Sequence, residues 1–178
     1  MGFSYTRINN PTVESFEKRV NMLENGIGSV ACASGMAALT NAFLNILQAG
    51  DEIVAACGLY GGTVELFDDL KPFGISVKYE KENKPEAFEA EITEKTRLVF
   101  AETIGNPKLD VTDIQAVAEV AHKHDVPLIV DNTVATPYLI QPLKLGADIV
   151  VHSSSKYING SSDAIRGILV CGKGLKWD

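Results

Sequence analysis

The feature that most constrains this fold is a regular alternation of short apolar segments with helix-like segments along the 178 residues. Seven segments have the composition of strands: SVACA (29–33), EIVAAC (52–57), ISVKYE (75–80), RLVFAE (97–102), PLIVDN (127–132), DIVVHS (148–153) and GILVCG (167–172). Several are continuously apolar, which is typical of parallel strands covered on both faces. The alternation predicts an α/β domain with three layers, in which helices cover a mostly parallel seven-stranded sheet.

Five helical segments fit between or before these strands. They are predicted at 9–26, 36–47, 62–70, 85–92 and 112–124. In the first, Asn10 can cap the helix, Pro11 suits its first turn and Gly26 can end it. Its predicted buried stripe is Val13, Phe16, Val20 and Leu23.

Composition excludes several classes of function. A net charge of −7 and a pI near 5.0 argue against nucleic acid and anionic membranes as partners. The overall sign does not exclude one anionic ligand, because amides, hydroxyls and one or two cations can build a local phosphate site. No segment has the length of a membrane span, no signal peptide is evident and no metal-ligand spacing occurs, so a cytoplasmic protein without a metal is expected.

Polar residues follow almost every predicted strand, at the edge of an α/β sheet where ligands bind. They are Ser34, Gly35 and Met36, then Cys57, Gly58 and Tyr60, then Glu102, Thr103 and Asn106, then Asp131, Asn132 and Thr133, and finally Ser153, Ser155 and Lys156. Their convergence predicts one binding site at this edge of the sheet.

Three features of this set match the needs of a phosphate-bearing aldehyde. The Ser34–Gly35 turn opens a helix, and helix N-termini bind phosphate, although Gly35 could equally serve only a tight turn. Asp131 ends an apolar strand, where a buried carboxylate needs a cation, a metal or several donors, or else caps the next turn. Lys156 follows three serines and could form a Schiff base, whereas an ordinary lysine there would only be solvated. Pyridoxal phosphate would use all three groups.

Longer motifs carry a resemblance to a known family. The segments YTRINNPT, SGMAAL, LYGGT, ETIGNPKLDV, IVDNTVATPYL and GADIVVHSSSKYING resemble the Cys/Met-metabolism family of pyridoxal-phosphate enzymes, whose fold is called type I. The match runs almost from end to end. Within that family the segments YTRI and DNTVATPYL most resemble the O-acetylhomoserine sulfhydrylases, and cystathionine γ-synthases, cystathionine γ-lyases and methionine γ-lyases are close relatives.

The resemblance implies a role for each motif residue. Lys156 would form the Schiff base and then move protons, Asp131 would pair with the pyridinium nitrogen, and Tyr60 would stack on the ring and act at the γ-leaving group. The amides of Gly35 and Met36 and the hydroxyls of Ser153 and Ser155 would bind the phosphate, while Asn106, Glu102 and Thr133 would lie at or near the ring. The implied reaction replaces the acetate of O-acetylhomoserine by sulfide or a thiol, giving homocysteine or methionine.

The resemblance also implies an organisation beyond this domain. Residues 1–10 would form an arm whose Tyr5 and Arg7 reach the phosphate of a neighbouring subunit, in a dimer of dimers. Residues 11–178 would form the pyridoxal-phosphate domain, without the C-terminal domain that binds the substrate carboxylate in the family. Ser161 and Arg166 stand where a histidine and a glycine are usual. The alternatives are a γ-lyase, a cystathionine γ-synthase and a catalytically incomplete cofactor-binding fragment, with another fold-type-I enzyme such as an aminotransferase a remote further one.

Overall fold

A computed structural model describes residue 2 and residues 4–173, and it contains one seven-stranded sheet. The strands are β1 (Gly28–Cys32), β2 (Glu52–Ala55), β3 (Ser76–Tyr79), β4 (Thr96–Glu102), β5 (Leu128–Asp131), β6 (Ile149–His152) and β7 (Gly167–Cys171). Their order is β1-β7-β6-β5-β4-β2-β3, and β7 runs antiparallel to the other six strands. The predicted mostly parallel sheet of seven strands is therefore confirmed.

Helices connect the strands and cover the sheet. They are α1 (Pro11–Glu24), α2 (Gly35–Ile46), α3 (Gly61–Leu70), α4 (Pro85–Glu91), α5 (Ile114–Lys123) and α6 (Thr136–Leu139), with short 3₁₀ helices at Lys71–Phe73 and Pro142–Leu145. Every residue of β2 and β6 is buried, so side chains on both faces of the sheet are covered. This is the three-layer arrangement that the strand pattern predicts. Among the described residues, no helix is long and apolar enough to cross a membrane.

The core is built around phenylalanines where α2 and α3 pack on the sheet. The Phe43 ring lies 5.5 Å from Phe67 and 5.4 Å from Phe100, measured between centroids, and Phe67 lies 5.8 Å from Phe100. All three are fully buried. Their edge-to-face and offset contacts add about 0.5–1.5 kcal/mol per pair to the effect of burial itself. This cluster fixes α2 against β4, so the N-terminus of α2 has a defined position at the edge of the sheet.

Helix α1 begins as predicted, but the residue that terminates it comes one position earlier than predicted. Asn10 accepts hydrogen bonds from the amides of Thr12 and Val13, at 2.9 and 3.3 Å. The left-handed residue after the helix is Asn25, with φ 63°, rather than Gly26. Gly26 is required for a different reason, because a Cβ there would lie 2.3 Å from Cγ1 of Val170.

The stripe predicted for α1 is only half correct. Val20 is buried and Phe16 partly so, but Val13 is 40% exposed and Leu23 is 50% exposed. The helix packs on β1 and β7 at the border of the sheet, so only a narrow face is covered. The last residue of the helix, Glu24, is fully buried instead of Leu23.

Strand β7 brings the edge of the sheet and the start of α2 together. Because β7 runs opposite to β6, its first residue lies where the neighbouring parallel strands end. A Cβ on that residue, Gly167, would lie 1.9 Å from the carbonyl oxygen of Ser34. Only glycine permits this approach, which places the Ser34–Gly35 turn beside the ends of β5 and β6.

Candidate cofactor site

A cavity of about 660 Å³ lies at the carboxyl ends of the parallel strands. Of the twelve residues to which the resemblance gives a role, ten line it: Gly35, Met36, Tyr60, Glu102, Asn106, Asp131, Thr133, Ser153, Ser155 and Lys156. Among the other strand-end residues predicted to converge here, Ser34 lines the cavity, whereas Cys57, Gly58, Thr103 and Asn132 do not. The ten residues come from segments that follow β1, β2, β4, β5 and β6, as expected for the ligand-binding edge of an α/β sheet. Because their side chains and amides converge on one space, they can contact one small molecule together.

The start of α2 supplies amides to this cavity. The Ser34 hydroxyl caps the helix by accepting a hydrogen bond from the amide of Ala37, at 3.0 Å. Gly35 and Met36 occupy the first turn, where backbone amides have no acceptor within the helix. A Cβ on Gly35 would lie 2.6 Å from Cβ of Ser153, so a glycine is needed for close packing as well as for the turn. The arrangement is suited to an anion held by amides and the helix dipole.

Asp131 ends β5 and is held by local hydrogen bonds. Its Oδ1 accepts from the amide of Thr133 at 2.8 Å, and the Thr133 hydroxyl accepts from the amide of Ser153 at 2.8 Å. Asp131 therefore also organises the turn after β5. Capping of this turn is the alternative to ligand binding that the sequence leaves open. Burial raises its pKa, while the hydrogen bonds from Thr133 and the charge of His152 lower it. A cationic ligand nitrogen beside this carboxylate would favour its charged form.

Glu102 is a second buried acid in the cavity. Its pKa is raised to about 8, mainly by burial and also by the charge of Asp131, although hydrogen bonds from the backbone amides of Tyr60 and Asn106 act in the opposite direction. The Tyr60 amide donates to Oε1 of Glu102 at 2.7 Å. Glu102 thus anchors the loop that carries Tyr60, and with a pKa of about 8 it is largely protonated at neutral pH.

Tyr60 stands at the beginning of α3 with its phenol available to a ligand. The side chain is 50% exposed. A Cβ on Gly62 would lie 2.6 Å from Cε1 of the Tyr60 ring, so the small residue allows the ring to fold back over the helix start. The ring is therefore positioned by its neighbours without being enclosed by them.

The segment after β6 differs in two respects from what the sequence implies. The Ser155 hydroxyl donates to the carbonyl oxygen of Arg166 at 3.0 Å and lies 2.7 Å from the Arg166 amide, which donates to it. Its proton is therefore directed to the backbone and not to the cavity. Schiff-base formation needs a neutral amine, which burial would favour, but Lys156 is exposed where it lines the cavity.

Tyr5 and Arg7 are not brought to the cavity of their own chain. Neither belongs to its lining, and Tyr5 is 54% exposed. The Arg7 guanidinium lies 5.4 Å from the centroid of the Tyr5 ring, a cation–π distance. The predicted role of these two residues across a subunit interface remains a prediction.

Sequence reasoning missed two parts of the site. Ile104, Val134 and Ile165 give the cavity an apolar wall, for which the sequence offers no distinct signal. A buried group formed by Glu24, Asn132 and His152 lies next to Asp131 in the fold. No local pattern marks this group, because Glu24 and His152 are 128 positions apart in the chain.

The residues present fit pyridoxal phosphate. The start of α2 can bind its phosphate, Asp131 can pair with its ring nitrogen, and Lys156 at the rim can reach its aldehyde. Among the described residues, no group of three or more histidines, cysteines and acids could bind a metal ion.

Comparison with known proteins agrees with this interpretation. The family model for the Cys/Met metabolism PLP-dependent enzymes matches residues 1–178. An O-acetyl-L-homoserine sulfhydrylase from Leptospira meyeri is 49% identical over 99% of this chain and 40% of its own length. An L-methionine gamma-lyase from Porphyromonas gingivalis is 45% identical over 95% of this chain and 43% of its own length.

A solved structure is similar throughout the described fold. It is described as an O-acetylhomoserine (thiol)-lyase from Campylobacter jejuni with N'-pyridoxyl-lysine-5'-monophosphate, and it has a TM-score of 0.92 and 38% identity over 98% of this chain and 43% of its own. The chain belongs to the Cys/Met metabolism PLP-dependent enzymes. It spans about two fifths of the length of the curated relatives it matches.

Proposed function

We propose that the protein carrying this chain catalyses a pyridoxal-phosphate-dependent γ-replacement on O-acetylhomoserine, with sulfide or a thiol as the acceptor and homocysteine or methionine as the product. The observation that carries the proposal is the convergence of Lys156, Asp131 and the start of α2 on one cavity. The sulfhydrylase relative, 49% identical over nearly the whole chain, supports the reaction class.

Binding of the cofactor is assigned to three groups. The amides of Gly35 and Met36, together with the Ser153 hydroxyl, bind the phosphate at the positive end of α2. Asp131 pairs with the ring nitrogen, which resolves the unfavourable burial of its carboxylate. In this site Ser155 serves the phosphate indirectly, by fixing the Arg166 turn through two hydrogen bonds.

Contacts with the cofactor ring are assigned to residues on the other walls of the cavity. Tyr60 stacks on one face of the ring, and Asn106, Glu102 and Thr133 lie around it. Glu102 keeps Tyr60 in place through the 2.7 Å hydrogen bond from its amide. When bound, the cofactor supplies an electron sink that stabilises negative charge at the substrate Cα.

Two side chains of this chain move protons in the proposed reaction. Lys156 would hold the cofactor aldehyde, and its free amine could take the proton from the substrate Cα. Tyr60 lies across the cavity with an exposed phenol and can protonate the leaving group at Cγ. Ile104, Val134 and Ile165 give the cavity an apolar wall against which the carbon chain of a substrate could pack.

A γ-lyase reaction is the second candidate, and the methionine gamma-lyase relative at 45% identity favours it. A cystathionine γ-synthase would use the same site with a different acceptor. Assays for α-ketobutyrate released from methionine separate a lyase from a replacement enzyme. A chain that binds cofactor without turnover would be an incomplete fragment of such an enzyme.

Assembly and location complete the proposal. We infer a cytoplasmic homo-oligomer in which Tyr5 and Arg7 of one subunit contact the phosphate in a neighbouring site. The support is that these residues are exposed, lie together and do not line their own cavity. The shared site would explain a cation–π pair on an arm that precedes α1.

The decisive experiment identifies the residue that carries the cofactor. The protein is incubated with pyridoxal phosphate, reduced with borohydride and digested, and the pyridoxyl peptide is sequenced by mass spectrometry. We expect the adduct on Lys156, loss of the long-wavelength absorbance in Lys156→Ala, and retention of both in Lys173→Ala. An adduct on another lysine, or none in a folded protein, would overturn the proposal.

A further inference from the structure

A buried polar group lies on the opposite face of the sheet from Asp131. Asp131 and Asn132 are consecutive in the chain, so their side chains leave the strand end toward opposite faces. Asn132 meets His152 of β6 and Glu24 of α1 there, and all three are completely buried. None of the three lines the cavity. We call Glu24, Asn132 and His152 the buried trio.

The hydrogen bonds of the buried trio fix the position of a proton. Oε1 of Glu24 accepts from the Asn132 amide nitrogen at 2.9 Å and lies 2.7 Å from Nε2 of His152. A Glu24 carboxylate can only accept, so Nε2 of the imidazole carries a proton in both the neutral and the charged form of the ring. The Asn132 amide also donates to the carbonyl oxygen of Ile140 at 3.1 Å, which fixes the orientation of its side chain.

Each residue of the buried trio has one polar atom without a hydrogen-bond partner in the described part of the chain. Oε2 of Glu24, Oδ1 of Asn132 and Nδ1 of His152 are buried without a hydrogen-bond partner. A buried ionic pair costs several kcal/mol of desolvation per charge, and apolar residues of similar size commonly give equal or greater stability. Stability alone therefore does not account for these residue types under α1.

An electrostatic link connects the buried trio to the cavity. Burial raises the pKa of Asp131, whereas the charge of His152 lowers it, and among the described residues no other charge is seen to lower it. Strands β5 and β6 are directly paired, with Asp131 opposite Val151, the residue before His152. The rigid sheet therefore holds the imidazole at a fixed place relative to the carboxylate.

We propose that the buried trio is a positioning group for Asp131, in which Glu24 and Asn132 orient His152 and His152 stabilises the Asp131 carboxylate opposite the cofactor ring nitrogen. The inference rests on the proposed function, because it assigns Asp131 to that nitrogen. None of the three residues touches the cofactor, so their effect is on how firmly the ring nitrogen holds its proton.

The test uses His152→Gln, Glu24→Gln and Asn132→Ser in the full chain. His152→Gln keeps an amide donor for Glu24 and removes the imidazole. We expect each variant to bind pyridoxal phosphate about ten-fold more weakly, equivalent to about 1.4 kcal/mol. We also expect the pH midpoint of the long-wavelength absorbance of the bound cofactor to rise. A ring nitrogen that holds its proton less firmly leaves the nitrogen joined to Lys156 easier to protonate.

The matched control is Glu52→Gln. Glu52 is also a buried glutamate, bound by the hydroxyls of Thr93 and Thr96, but it lies at the opposite end of the sheet. The Glu52→Gln variant should have a lower melting temperature, but the pH midpoint of its long-wavelength absorbance should stay the same. If the trio variants keep the pH midpoint of the unaltered protein, as the control should, the buried trio is only structural. The same conclusion follows if Glu52→Gln changes the midpoint as much as the trio variants do. Should one trio variant fail to fold, the other two decide.

The two proposals fail differently. If the unaltered protein forms no pyridoxyl adduct on Lys156, the proposed function fails. If the adduct forms and the trio variants keep both the affinity and the absorbance midpoint, only the role of the buried trio fails.

Discussion

At the scale of single residues, Glu102 titrates far from the ordinary range of a glutamate. Its pKa in the folded protein is about 8, against 4.5 for an ordinary glutamate, mainly because of burial. The folded state therefore binds a proton more tightly than the unfolded state does. The stabilising effect is complete below about pH 4.5 and is lost as pH rises through 8.

Glu102→Gln should remove this pH dependence in the cofactor-free protein. Between pH 5 and pH 8 the free energy of unfolding of the unaltered protein should fall relative to the variant, by at most about 1.4 kcal/mol per pH unit. Urea unfolding at several pH values measures the difference. Glu65→Gln, on the exposed side of α3, is the control and should follow the unaltered protein. Parallel pH curves for Glu102→Gln and the unaltered protein would contradict the assignment.

Residue types predicted the polar members of the site better than their roles. Strand-end positions were sufficient to place Asp131 and Lys156 at one cavity, because strand ends of a parallel sheet converge. The engagement of Ser155 with Arg166 could not be predicted, since it depends on the path of the chain over residues 157–166. The buried trio joins residues 108 and 128 positions apart in the chain, a separation that local patterns cannot detect.

At the scale of elements, the outer edge of β1 is protected by α1. The Ala31 amide on that edge donates to Oε1 of Glu17 at 2.8 Å, and the Ser29 hydroxyl donates to the carbonyl oxygen of Glu17 at 2.9 Å. Unpaired edge strands promote association of chains through their free backbone groups. The Glu17 side chain thus occupies the Ala31 amide, to which a strand of another chain could otherwise bind.

Glu17→Ala should expose this edge. We expect a loss of about 1 kcal/mol in the free energy of unfolding, from the lost hydrogen bond, together with faster aggregation on heating. Glu14→Ala is the matched control, because it removes only the surface ion pair with Lys18 on the same helix. Urea unfolding and light scattering distinguish the two variants, and equal aggregation rates would argue against edge protection.

Element prediction succeeded where periodicity is strong and failed at the border of the sheet. All seven strands and the five main helices follow from apolar runs and capping residues. The exposure of Val13 and Leu23 could not be predicted, because a helix at the border of a sheet covers less than a full apolar face.

At the scale of the whole molecule, the proposed shared site can be tested by mixing subunits. Arg7→Ala should disrupt the site of the neighbouring subunit. Lys156→Ala should disrupt the site of the subunit that carries the substitution. Hybrids of the two inactive variants, refolded together, should recover part of the activity because one site then contains both native residues. Absence of recovery, with mixed oligomers confirmed by mass spectrometry, would place Arg7 outside the site. The control is a mixture of Arg7→Ala with the double variant Arg7→Ala/Lys156→Ala, which should recover no activity because every site then lacks Arg7.

The lining of the cavity extends from Ser34 to Ile165 in the chain and depends on β7 to seat the Ser34–Gly35 turn. No shorter stretch of this chain can assemble the cavity, because its walls form only when distant segments meet in the completed sheet. Occupation of the cavity is therefore a reporter of complete folding, and the colour of a bound cofactor would mark the last step at which a newly made chain becomes native.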